Sequence, residues 1–138
     1  MNRATKIATA QLLLEAMETN DFATWQAALS PEFRADYPGA ATLDADAACA
    51  YSKAFPDAFP DLHFELQSAT TEGNTVVLCA KGVGTFTKPL ATPHGLVPPT
   101  GRAAQVSFTL VTTLGEGKIV QERTFWDRLD FFQQLGLA

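Results

Sequence analysis

Charge is scarce in this sequence, and positive charge most of all. Lys and Arg number 10 of 138 residues, scattered along the chain, against 15 Asp and Glu, for a net charge of −5. Nucleic acid and anionic membrane both demand clustered cations, so neither is expected as a partner. Cysteine is almost absent. Cys49 and Cys79 fall in a predicted helix and a predicted strand, so no disulfide framework is expected, a reducing compartment is the default, and both are read as small core residues. Long hydrophobic runs are missing too. The leucines Leu12 to Leu14 are followed by Glu15 and Glu18, a pattern of neither a signal peptide nor a membrane span, and a cytoplasmic location is expected. There is no Gly-rich phosphate loop, no GxSxG elbow, no His pair at i, i+4 and no Cys/His cluster at metal spacing. A protein that uses no metal and no cofactor is therefore expected.

What is present is apolar. Hydrophobic residues make up 46% of the chain and charged ones 18%, which favours an internal cavity or an oligomer interface over a fully solvated monomer. With no repeat or linker, residues 1–138 are read as one domain. Leu12, Leu13, Ala16 and Met17 form one stripe of an amphipathic helix, Ala8 to Met17. A second helix follows, capped by Thr19 or Asn20, with Phe22, Trp25, Ala28 and Leu29 on its apolar face. Pro31, Pro38 and Gly39 mark a loop that encloses a short extended piece at Phe33 to Tyr37. Asp44 is placed to cap a third helix, which should stop near Pro56.

After Pro60 the period changes to two. Leu62, Phe64 and Leu66 alternate with polar residues, which puts His63 on the surface. The turn TEGN leads into TVVLCAKGVGTF, where Gly82 and Gly84 predict a bulge or bend that curves the sheet. Next comes an aperiodic segment, Phe86 to Thr100, with four prolines. Its length marks it as a functional loop at a pocket mouth, with His94 solvated within it. The strand RAAQVSFTLVTT then pairs through LGEGK with the last strand. Helices first and a meander after is an α+β layout, with three helices covering the concave face of a curved, mostly antiparallel sheet. A pocket above about 300 Å³ is expected between them, with Trp25, Phe33, Phe55, Phe86, Phe108 and Phe125 as ligand contacts.

The stretch Lys118 to Leu137 carries the candidate chemistry. A strand passes through Phe125 and Trp126, and at Asp127 the apolar period turns helical with Leu129, Phe132 and Leu135. A carboxylate at a strand end beside two aromatic rings is a setting that raises an Asp pKa toward that of a proton carrier. From position alone the same residue is better read as the cap of the last helix, accepting from backbone N–H groups of its first turn. Asp127, Tyr37, Asp36 and Arg123 are the acid/base candidates. In a regular strand Arg123, Phe125 and Asp127 share one face and Trp126 takes the other, so a pocket on that face would hold Arg123 and Asp127 together.

FPDLHFEL, GNTVVLCAKGVGT, PPTGRAAQVSF and EGKIVQERTFWDRLDFFQQLG, in that order and at those separations, resemble the SnoaL-like polyketide cyclase group within the cone-shaped nuclear-transport-factor-two-like fold. The resemblance covers nearly the whole chain and implies a conical half-barrel closed by helices, a deep apolar pocket for a small hydrophobic molecule, and a homodimer or larger homo-oligomer. It also implies a general acid/base Asp near the end of the last strand, where Asp127 stands. From its shared strand face, Arg123 is one candidate to stabilise the oxyanion, and Tyr37, arriving from the loop after the second helix, is the other. Two residues depart from the pattern. Gly84-Thr85-Phe86 stands where relatives have Gly-Thr-His, and Arg123 where they often have Trp. The expected activity is cofactor-free cyclisation, isomerisation or dehydration of a hydrophobic carbonyl compound. The alternative is a non-catalytic ligand-binding or dimerisation domain of the same fold.

Overall fold

A computed structural model describes all residues, 1–138. Four side-chain caps set where its helices begin: α1 (Arg3–Glu18), α2 (Phe22–Ala27), α3 (Ala45–Ala58) and α4 (Arg128–Gln134). Asn2, Asp21, Asp44 and Asp127 each accept a hydrogen bond from the backbone N–H three residues on, at 2.9, 3.1, 2.9 and 3.0 Å. Each cap satisfies a donor that the first helical turn leaves free. Asp21, rather than Thr19 or Asn20, caps α2; Asn20 instead takes a left-handed conformation, φ 53°, to turn the chain between α1 and α2. Helix α3 stops near Pro56 as expected, running through it to Ala58. A proline in the last turn removes only the bond to the Ser52 carbonyl, and the Phe59 N–H still reaches the Phe55 oxygen at 2.8 Å.

The strands are β1 (Leu29–Asp36), β2 (His63–Glu72), β3 (Thr75–Thr85), a small hairpin β4 (Leu90–Thr92) and β5 (Gly95–Val97), then β6 (Ala103–Gly115) and β7 (Lys118–Trp126). The main sheet has the order β1-β7-β6-β3-β2 and is antiparallel except where β1 joins β7 in parallel. The extended piece expected at Phe33 to Tyr37 is thus a full edge strand. The segment expected to be aperiodic holds the β4–β5 hairpin, which leans on α3 with Leu90 buried.

Strand β3 pairs with β6 without interruption from Thr75↔Thr113 to Thr85↔Ala103, so Gly82 and Gly84 mark no bulge there. They make room for rings instead. A Cβ on Gly84 would stand 3.2 Å from Phe59, and one on Gly82 would stand 3.4 Å from Phe64. The register shifts occur elsewhere, at Gln67 in β2, between Leu29 and Arg34 in β1, and at Val120 in β7. The last of these decides the site.

All four helices lie on the inner face of the sheet. One cluster of buried side chains joins α1, α2 and β1 to the middle of the sheet, with Leu13, Trp25, Phe33 and Leu78 at its centre. A second gathers Phe59, Phe86, Phe131 and Leu135 at the other end. Helix α4 is held there by Gln134, whose side chain imitates a neighbouring strand: it accepts from the Gln105 N–H at 2.8 Å and donates to the Gln105 carbonyl at 2.9 Å. No helix is long and apolar enough to cross a membrane.

Candidate functional site

Between the two clusters lies a cavity of about 130 Å³. It is smaller than the 300 Å³ expected because aromatic rings fill the cone from α3 to α4. Tyr37 stacks on Tyr51 with centroids 4.2 Å apart and planes 8° from parallel. Tyr51 meets Phe55 edge-on at 5.5 Å, and Phe55 meets Trp126 at 6.0 Å and 84°. An apolar cavity of about 150 Å³ accepts benzene, so the space here, which opens to solvent, suits roughly one six-membered ring.

One charged side chain lines this space, and it is Glu122. Its position follows from the bulge in β7. Ile119 faces the core opposite Leu114, and in an unbroken strand Gln121, Arg123, Phe125 and Asp127 would follow it inward. Val120 is an extra residue: Leu114 pairs with Ile119 but Thr113 already pairs with Gln121. The phase therefore reverses, and Glu122, Thr124 and Trp126 point into the cavity. Gly115 permits this, since a Cβ there would lie 2.9 Å from Val120 Cγ2.

Glu122 is buried at the joint of three strands, paired with Thr112 on β6 and with Ala35 on β1. Its Oε1 accepts from the Thr124 hydroxyl at 3.3 Å, and its Oε2 has no hydrogen-bond partner at all. Burial pushes the carboxyl up from 4.5 to about 7, against the smaller opposing influence of Tyr37 and Thr124. The Tyr37 hydroxyl lies 3.3 Å from Ser52 Oγ and near enough to Glu122 to favour the ionised carboxylate, but outside the geometry of a formed hydrogen bond to Oε2. Burial first, and then the Glu122 charge, raise the Tyr37 phenol far above its usual range. Burial also raises Tyr51, to about 12, although the positive charge of Arg128 draws it down. Both phenols are thus neutral donors at any physiological pH.

The site residues read from the sequence divide. Tyr37, Trp25, Phe55 and Phe108 line the cavity. Asp127, Arg123 and Phe125 do not: all three are exposed, Asp127 as the cap of α4 and Arg123 with its guanidinium 5.3 Å from the Phe125 ring on the outer face. Their shared parity is real, but the bulge sends their face outward. Asp36 also lies off the cavity, accepting from Thr42 Oγ1 at 2.6 Å. Phe33 and Phe86 are buried in the two clusters, Phe86 stacked on Phe59 at 5.4 Å, and neither reaches the cavity. No residue from Phe86 to Thr100 lines it either, which removes that segment as a pocket rim. His63 and His94 are exposed, and Cys49 and Cys79 are free and half-buried. Sequence reasoning missed Glu122. The available signal was Trp126: taking that ring as inward-facing puts Thr124 and Glu122 on its side.

A model of the SnoaL-like polyketide cyclase family matches residues 7–135. No curated protein matches the sequence significantly. Among solved structures, a candidate SnoaL-like polyketide cyclase from Jannaschia sp. CCS1 superposes with a TM-score of 0.85 at 22% identity, over 100% of this chain and 99% of that one. AclR, a candidate hydroxylase from Streptomyces galilaeus, gives 0.83 at 20% identity, over 99% and 84% of the two chains. An LEH-like epoxide hydrolase from M. tuberculosis gives 0.68 at 18% identity, over 96% and 90%. At these identities the likeness is one of fold.

Proposed function

The chain belongs to the SnoaL-like polyketide cyclase family, and on that premise we propose that it is a general acid/base enzyme in which Glu122 moves a proton on a small hydrophobic carbonyl compound. The observation that carries this is the unpartnered Oε2 of a buried carboxylate facing an apolar cavity. An ionised carboxylate left in such a place is costly, and a structural role would have called for hydrogen bonds to both oxygens.

A group with a pKa of about 7 is divided evenly between acid and base at neutral pH, the condition under which one residue serves both directions of proton transfer. As carboxylate, Glu122 removes a proton from a carbon beside the carbonyl. The resulting enolate oxygen is stabilised by a neutral phenol, with Tyr37 and Tyr51 both at the cavity wall. The enolate then either takes the proton back at a conjugated γ-carbon, an isomerisation, or attacks a second carbonyl through its α-carbon, closing a ring. In the second case Glu122 returns its proton to the new alkoxide. Every step uses side chains of this chain alone.

The test is hydrogen–deuterium exchange at the activated carbon of a cyclic β-keto ester, ethyl 2-oxocyclohexanecarboxylate, in D₂O. Exchange should exceed that in buffer, and Glu122→Gln should lower the enzymatic part by ~10²-fold or more, the usual contribution of a positioned acid/base group. Exchange no faster than buffer, or unchanged in the Gln variant, would return the cavity to a binding role.

A further inference from the structure

Helix α3 sends Tyr51, Ser52 and Phe55 to the cavity wall, and of the three only Ser52 is buried. A helical serine hydroxyl commonly donates to the carbonyl four residues back, here that of Ala48. Ser52 does not. Its hydrogen-bond partner is the Tyr37 hydroxyl, 3.3 Å away, and Tyr37 has no other. The Tyr37 ring is clamped as well, stacked on Tyr51 at 4.2 Å with the planes 8° apart, which fixes the plane in which its O–H lies. The phenol proton therefore has two directions open to it, toward Ser52 or toward the cavity and Glu122. Glu122 decides between them. Thr124 serves only its Oε1, so the carboxylate, once ionised, draws the nearest remaining donor, the phenol. Ser52 is then the donor in its own pair. The mutual influences run the same way. Burial and then the Glu122 charge raise the Tyr37 phenol while Ser52 draws it down, and burial raises Glu122 while Tyr37 draws it down. Tyr51 is the one other titratable side chain on the cavity wall; α1, β2, β3 and β6 bring none to it.

We infer that Ser52 is the positioning residue of this site: by donating to the Tyr37 oxygen it commits the Tyr37 proton to the cavity, where Glu122 and the substrate oxygen compete for it. This rests on the proposed function for the reaction served, and it selects Tyr37 over Tyr51 as the oxyanion donor. As Glu122 takes a proton from the substrate carbon it loses its charge, and the Tyr37 donor passes to the enolate oxygen that has gained it. Tyr37 keeps its own proton throughout. Hydrogen bonds in series strengthen one another, so Ser52 makes Tyr37 a better donor as well as an aimed one.

The experiment follows the Glu122 carboxyl carbon by NMR against pH, assigned through Glu122→Gln, and beside it the deuterium exchange of ethyl 2-oxocyclohexanecarboxylate. The parent carboxyl should titrate at about 7. Tyr37→Phe removes a donor that favours the carboxylate and should move the midpoint to higher pH. Ser52→Ala should move it the same way by less. It should also lower the maximal exchange rate about tenfold with KM unchanged, the scale of one neutral hydrogen bond. In the Tyr37→Phe background Ser52→Ala should add nothing to either quantity, because Ser52 acts only through the phenol. A midpoint that Ser52→Ala leaves at the parent value, or an equal effect of Ser52→Ala with and without the Tyr37 hydroxyl, would overturn the inference. Exchange no faster than in buffer, with the midpoints still shifted as described, would sink the proton chemistry and leave the Ser52–Tyr37 relay standing.

Discussion

Glu122 ties stability to the same proton that the chemistry needs. Its carboxyl titrates at about 7 in the fold against 4.5 as an ordinary glutamate, so between those values the folded chain holds a proton that the unfolded chain has lost. Stability must then fall as pH rises from about 4.5 to 7, by roughly 3 kcal/mol in all at about 1.4 kcal/mol per pKa unit. Asp21 and Asp61, whose pKa values are lowered by hydrogen bonds from Thr24 and Thr85, act only in more acid solution. Glu122→Gln removes the titration. Chemical denaturation at pH 5 and pH 8 should find the variant within about 1 kcal/mol of the parent at the lower pH and more stable by roughly 3 kcal/mol at the higher. A parent protein of equal stability at both pH values would mean that Glu122 titrates normally. Asp127 is expected to behave as a cap: Asp127→Ala should cost about 1 kcal/mol, and Asp127→Asn much less. Neither should change the exchange rate of a bound ketone, and a ~10²-fold loss in either would restore Asp127 to the chemistry.

At the scale of the element, the site depends on one inserted residue. Val120 turns β7 over between Ile119 and Glu122, and Gly115 across the hairpin makes the space for it. The turn between the strands, Glu116 and Gly117 at φ 52° and 78°, has the two left-handed positions of a tight hairpin and leaves no slack to absorb a change. Gly115→Ala should therefore press on Val120 and destabilise the fold by about 1–3 kcal/mol, as overpacking does. Val120→Ala in the same chain should recover most of that, so a double-mutant cycle ought to show strong coupling. Additive effects would mean that the bulge does not depend on this contact. Prolines and glycines have their own place at this scale. Gly84 lets Phe59 approach the sheet, and Pro56 withholds a donor from Ser52, a residue of the cavity wall.

On the scale of the whole molecule, the helices cover one face of the sheet and leave the other bare. Val77, Val111 and Phe125 stand on that outer face, with Phe125 50% exposed. A chain so poor in charge is expected to cover such a face with a second copy of itself, and a two-fold dimer is the commonest solution. Light scattering at micromolar concentration should then give about twice the chain mass of 14.9 kDa. Phe125→Asp should shift the population toward the monomer while leaving the cavity intact, since Phe125 does not line it. A monomeric parent protein would contradict this use of the face.

Local patterns were sufficient for the order of the main elements, though not for the β4–β5 hairpin or the full length of β1. Caps at Asp44 and Asp127, the change from helical to alternating periodicity after Pro60 and the Gly-containing turns all mark the helix-then-meander order, because these signals depend on neighbours within a few residues, and the whole-chain family resemblance adds the cone. The same patterns brought Tyr37, Trp25, Phe55 and Phe108 to the cavity, as large rings at inward positions. Only the tertiary structure decided which face of β7 looks into it. A strand's two faces differ by one residue of phase, and the bulge that sets this phase at Val120 arises from packing against Gly115 and pairing with β6, neither of which is written in the local pattern of β7. Glu122 is polar in sequence and becomes a candidate acid/base group only because three strands, two tyrosines and a ring-sized hollow withhold water from it.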